Sequence, residues 1–211
     1  MSDDGSRGRR GGRLVLLCLL LSIAAAELVL QGAGWGLWGS ARWRQLAYQY
    51  GAFWAGLLHG WHPNYTAQPY VMFFSYAFLH SGFGHMFSNL AATVPLGLMV
   101  LERRRGRDLA LVWLAAIPGG GLGFGLLATS AAPMVGASGA VFGLAGALVT
   151  WRWQEDRAAG QPATMRALVV TAGLVALNLV MWLSLGGMMA WETHLGGFIA
   201  GAVMAMLLRP N

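Results

Sequence analysis

The chain has no lysine, a single cysteine and few charged residues of either sign. Cys18 alone closes no internal disulfide and builds no cysteine metal cluster. Lying inside an apolar run, it reads as a packing residue. Only 10% of the 211 residues are charged, against about 25% in average soluble domains. With 56% hydrophobic residues and a mean hydropathy of +0.54, the balance excludes an ordinary soluble domain and points to an all-α membrane protein. The net charge is +6, and all fourteen basic residues are arginine. They lie in short loops between apolar runs, not on one folded basic face, which argues against a nucleic-acid partner. No His-Glu-x-x-His pair occurs, and no carboxylate lies among His59, His62, His80 and His85, so no metal centre is expected.

Residues 1–13 are rich in Gly, Ser, Asp and Arg and are expected to form a disordered tail. The first apolar run is Leu14 to Leu30. A cleaved signal peptide competes for it, because Ala24-Ala25-Ala26 resembles a cleavage site; the run continues past those alanines toward span length, which favours a retained helix. Glu27 is tolerable near its outer end if it faces other helices. Residues 32–84 carry five tryptophans and five tyrosines and read as a long interfacial first loop with one or two short helices. Five more apolar stretches follow, roughly 85–101, 109–128, 137–151, 167–185 and 193–208. The third and fifth of these are short for a bilayer. The expectation is a six-transmembrane-helix bundle over residues 14–208. With an inner N-terminus, twelve arginines fall inside and only Arg42 and Arg44 outside, so both termini are expected in the cytoplasm.

That topology brings polar residues to one depth. The second, fourth and sixth helices start on the outer side, with His85 and Asn89, Ser138, and His194 in their first turns. His85 and Asn89, at i and i+4, share a helix face. Gly139 and Gly143, and Gly197 and Gly201, form small-xxx-small pairs that let two helices approach within reach of a Ser–His hydrogen bond. Phe142, one turn below Ser138, is placed to pack beneath the imidazole. A serine needs a base to become a nucleophile, and His194 supplies one. The Asn89 amide, the His85 ring N–H and the Ser138 backbone N–H are candidate oxyanion donors. Glu192 points to another face than His194, so the expected arrangement is a dyad.

These residues resemble a known family. His85 to Asn89 resembles the HxxxN signature of the rhomboid second helix, and Glu102 to Gly106 its ExxxG. Gly136-Ala137-Ser138-Gly139 matches the GxSG motif, and His194 with Gly197 and Gly201 matches HxxGxxxG. Their order agrees over residues 70–205. The resemblance implies a bacterial inner-membrane serine protease of six-helix, rhomboid-like form. It implies cleavage of single-span membrane protein substrates near the outer face, without a cofactor. It assigns Ser138 as nucleophile, His194 as base, and His85, Asn89 and the Ser138 amide as oxyanion hole. Four positions depart from the family. Val71-Met72 stand where many members have Trp-Arg, Phe142 where many have Tyr, and Thr193 where Ala is frequent.

Two rival functions stay open. A catalytically silent relative would bind and escort membrane helices, but such relatives usually lose the serine or the histidine. A transporter would carry intramembrane charges along a pathway, and only Glu27 qualifies. The fifth helix, with Gly186-Gly187 past its outer end and no charge along it, is the expected gate for substrate.

Overall fold

The computed structural model describes residues 2–208; Arg209, counted above among the inner arginines, lies outside the described residues. Among the described residues the chain is all α-helical, with no strand. Six long helices occupy the six apolar runs: α1 (Ser2–Gly34), α4 (Phe83–Arg103), α5 (Gly106–Leu127), α6 (Ser138–Ala158), α7 (Ala163–Ser184) and α8 (Trp191–Leu207). Two short ones, α2 (Trp43–Gly51) and α3 (Gln68–Ser75), fold within the first loop, together with two 3₁₀ turns.

Four of the long helices, α1, α4, α5 and α7, are long and apolar enough to cross a membrane. The other two fall short for different reasons. α8 has 17 residues, about 25 Å at 1.5 Å per residue, against a hydrocarbon core of about 30 Å. α6 has 21 residues, but its last two turns are polar. Its apolar part ends at Trp151 as expected, and the helix continues because Asp156 is paired with both Arg152 (3.1 Å) and Arg166 (3.2 Å).

α1 runs from Ser2, and Gly12 is buried against α5. A Cβ on Gly106 would come within 2.7 Å of the Gly12 Cα, so a glycine pair sets this contact. One sequence expectation needs correction. Cys18 was expected to pack inside, yet it is exposed. It lies on an α1 face that also presents Leu14, Leu17 and Leu21, which in a bilayer meets lipid.

The core is α8 wedged between α5 and α6. Glycines make this possible on all three helices. A Cβ on Gly197 would run into the carbonyl oxygen of Gly139, and one on Gly201 into that of Gly143. On the other side, Gly119 faces Ala200, and Gly123 faces the Glu192 carbonyl. Such contacts replace the hydrophobic effect, which is weak between helices in lipid, with close backbone packing.

The first loop is folded and fixed at both ends. Glu27 of α1, fully buried, takes two hydrogen bonds of 2.8 Å from the Arg44 guanidinium. Arg44 also donates to the His80 carbonyl at 2.7 Å, and Tyr48 OH donates to the same oxygen at 2.8 Å. Phe53 and Met134 exchange backbone hydrogen bonds of 2.9 Å, which ties the loop to the segment leading into α6. The buried Gln68 closes the loop on itself, donating to the Gln49 carbonyl and accepting from the Asn64 N–H.

Candidate active site

Ser138 is the first residue of α6, half-buried, and follows a sharp turn at Gly136. Gly136 has φ +122°, a region glycine alone enters without strain. A Cβ there would also lie 2.7 Å from His85 Nε2, so the ring of His85 lies directly over the turn. The turn is held from below: Gly136 N–H donates to the Tyr76 carbonyl at 3.0 Å, and buried Tyr76 OH donates to the Ile117 carbonyl at 2.7 Å.

As first residue of the helix, Ser138 leaves its backbone N–H without an intrahelical acceptor, at the end where the helix dipole favours negative charge. The tautomer of His85 follows from its neighbours. The Ser81 backbone N–H, which can only donate, faces His85 Nδ1 at 3.5 Å, and Ser81 Oγ lies 3.1 Å from the same nitrogen. Nδ1 is therefore the acceptor, and Nε2, beside Gly136, carries the proton. Asn89 is buried and uses one amide N–H on the His85 carbonyl at 2.9 Å, leaving the second. His80 stands edge-on to His85 at 5.2 Å, with both ring nitrogens buried and, among the described residues, without a hydrogen bond of good geometry.

His194 lies in the first turn of α8 and is only 4% exposed. Its ring stacks on Phe142, centroids 4.2 Å apart and planes 8° from parallel, as the position of Phe142 below Ser138 predicts. On its other edge Nδ1 meets Asn178 Oδ1 of α7 at 2.7 Å. Neither Asn178 nor Ser81 is singled out by the sequence reasoning. Among the described residues no hydrogen bond joins Ser138 Oγ to His194, so the expected serine–histidine contact is open here. Thr193 packs its methyl group toward Gly120 and Gly139, and its buried hydroxyl has no partner among the described residues.

The structure thus gathers His85, Asn89, Ser138 and His194 at one end of the bundle, with Phe142, Gly139, Gly197 and Gly201 setting the spacing. The opposite end collects the arginine-rich turns, where Arg103 lies 3.8 Å from Glu155 and Arg104 covers the Trp151 ring at 4.8 Å. The Rhomboid domain family model matches residues 67–211.

The chain belongs to the rhomboid family.

No curated protein matches it. The match covers every long helix of this rhomboid except α1. It begins just before α3, so α1 and most of the first loop lie outside it, including the Glu27–Arg44 pair. Where many rhomboids carry Trp-Arg, this one has exposed Val71 and buried Met72. Its own Trp43-Arg44 lies at the start of α2, and there Arg44 anchors the loop to α1.

Proposed function

We propose that this rhomboid is a serine endopeptidase that cuts single-span membrane proteins near the outer face of a bacterial inner membrane. In this reading all six long helices cross the bilayer, and the arginine-rich end, with both termini, lies in the cytoplasm. The observation that carries it is the arrangement around one helix start: Ser138 heads α6, with the Phe142–His194 stack on α6 and α8 and the His85 ring over Gly136.

Ser138 Oγ attacks the scissile carbonyl while His194 Nε2 takes its proton. The tetrahedral oxyanion accepts from the Ser138 N–H, from His85 Nε2–H and from the free N–H of Asn89. The imidazolium then protonates the departing amine, and water, deprotonated by the same imidazole, hydrolyses the acyl-enzyme. Short α8 and the short apolar part of α6 place this chemistry where the bilayer is thin enough to admit that water.

The test is cleavage of a single-span reporter in proteoliposomes by wild type, Ser138→Ala and His194→Ala. Wild type is expected to cut, and each variant to lose at least about 10³-fold in kcat while remaining folded. Undiminished cutting by Ser138→Ala would remove the serine mechanism. A folded wild type that binds but never cuts single-span helices would favour the silent escort.

A further inference from the structure

We propose that Asn178 is a positioning residue for His194: its amide oxygen accepts the Nδ1–H of the imidazole, keeps Nε2 as the basic nitrogen, and makes that setting depend on where α7 lies. The inference rests on the serine-protease reading and adds to the dyad a third residue, carried by a different helix.

The geometry comes first. His194 Nδ1 and Asn178 Oδ1 are 2.7 Å apart, a short hydrogen bond to a nearly buried ring. Glu192, the nearest acidic residue along α8, makes no hydrogen bond to His194, and among the described residues no carboxylate reaches the ring. Phe142 fixes the ring plane but offers it no acceptor.

The chemistry follows from valence. A neutral imidazole has one N–H and one lone pair. An amide oxygen only accepts, so the nitrogen facing it bears the hydrogen, and Nε2 keeps the lone pair that a serine proton needs. The opposite amide orientation would put an N–H donor against Nδ1, move the ring hydrogen to Nε2 and abolish the base. Asn178 therefore sets the tautomer as well as the tilt of the ring, as the aspartate of a triad does, without bringing a buried charge.

The placement links this to α7. That helix has one buried residue, Ala163, at its far end, and it packs mainly on α6. Between Val169 and Leu183 its side chains are apolar except Thr171, Asn178 and the Trp182 indole N–H. Asn178 is half-buried among exposed Leu177, Leu179 and Val180, and turns inward to His194. An amide in lipid without a partner is costly, so the pairing holds the helix as well as the ring.

The experiment uses the full chain in proteoliposomes with Asn178→Leu, Asn178→Asp and Ser138→Ala. It reads kcat and KM for a single-span reporter, and the rate at which a small fluorophosphonate labels the serine. Leucine keeps the size and removes the acceptor; aspartate restores the acceptor. Expected for Asn178→Leu is a fall of about 10- to 100-fold in both kcat and labelling rate, the size found when a group orienting a metal-bound histidine is lost, with KM unchanged. Asn178→Asp is expected to recover most of that loss. If Asn178→Leu cuts and labels as fast as wild type, or faster, the residue is only a strap holding α7, and the proposal falls. Should Asn178→Leu not fold, Asn178→Ala takes its place with the same two outcomes. Persistent labelling in Ser138→Ala would sink the serine reading itself, and this inference with it, in a result the Asn178 variants cannot mimic.

Discussion

α7 and α8 both pack on α6, and they are attached in opposite ways. α8 meets α5 and α6 backbone to backbone through Gly119, Gly123, Gly139, Gly143, Gly196, Gly197 and Gly201. α7 exposes nearly its whole length, and apart from the Arg166–Asp156 pair near its start, its polar tie to the buried interior is the hydrogen bond that Asn178 Oδ1 shares with His194. A glycine seam has almost no freedom, because an added Cβ strikes a carbonyl or a neighbouring alanine. A helix covered by Leu, Val and Met on its outer face can shift against lipid at little cost. The histidine is thus mounted on the rigid partner and steadied by the loose one. In the protease reading proposed above, this mounting suits a base that must stay put while a substrate helix passes beside it.

The largest test of the contrast places the same substitution on each helix. Gly197→Val drives a Cβ into the Gly139 carbonyl, which belongs to backbone and cannot step aside. A loss of about 3 kcal/mol or more is expected, enough to deplete folded protein. Gly173→Val on α7 meets nothing within 4 Å, so its effect should stay within about 0.5 kcal/mol. Unfolding midpoints in detergent check both. Equal losses at the two sites would mean that α7 is packed as tightly as α8.

A smaller effect is expected at the first loop, which is tied down by polar groups where α8 is tied down by glycines. Arg44→Ala strands the buried Glu27 carboxylate and leaves the His80 carbonyl to Tyr48 OH alone. Breaking a buried pair costs about 3–5 kcal/mol. The Arg44 side chain is 29% exposed, so water can reach the vacated place and about 2 kcal/mol is expected. Removing both charges together, in Glu27→Leu with Arg44→Ala, should cost less than Arg44→Ala alone. A double variant worse than the single one would show that the pair contributes net stability.

How much of this was legible in the chain differs between the same regions. The glycine pairs at 139/143 and 197/201 state their contact in the sequence, because small residues four apart in a membrane helix have few other uses. Phe142 under His194 follows from helical spacing. The matching stripe on α5, from Gly119 to Gly125, was equally visible and was passed over as mere apolar run. Asn178 escaped because its run was read for charge alone and carries none there. Its depth was available: α7 ends on the same side as α8 begins, and Asn178 lies fewer than two turns from that end. The first loop was legible only as aromatic and interfacial. The bonds of Arg44 alone join residues 13 to 36 apart, from Gln31 to His80, and no local pattern encodes such pairs. Glu27 was read as a cost for the same reason, since its partner lies 17 residues on.

The smallest test returns to the seam. Thr193 is fully buried between α5 and α6, its methyl group within reach of Gly120 and Gly139, and its hydroxyl has no hydrogen-bond partner. A buried hydroxyl left unpaired costs about 1–3 kcal/mol. Thr193→Val keeps the shape, retains the methyl contact and replaces the hydroxyl by a second methyl. If the seam is as closed as the glycine contacts make it, the variant gains about 1 kcal/mol, and its unfolding midpoint rises by a few degrees. A fall in the midpoint would show instead that water reaches this hydroxyl from the site next door. The seam would then be open beside His194, and the contrast between the locked helix and the loose one would hold only for the lower turns of α8.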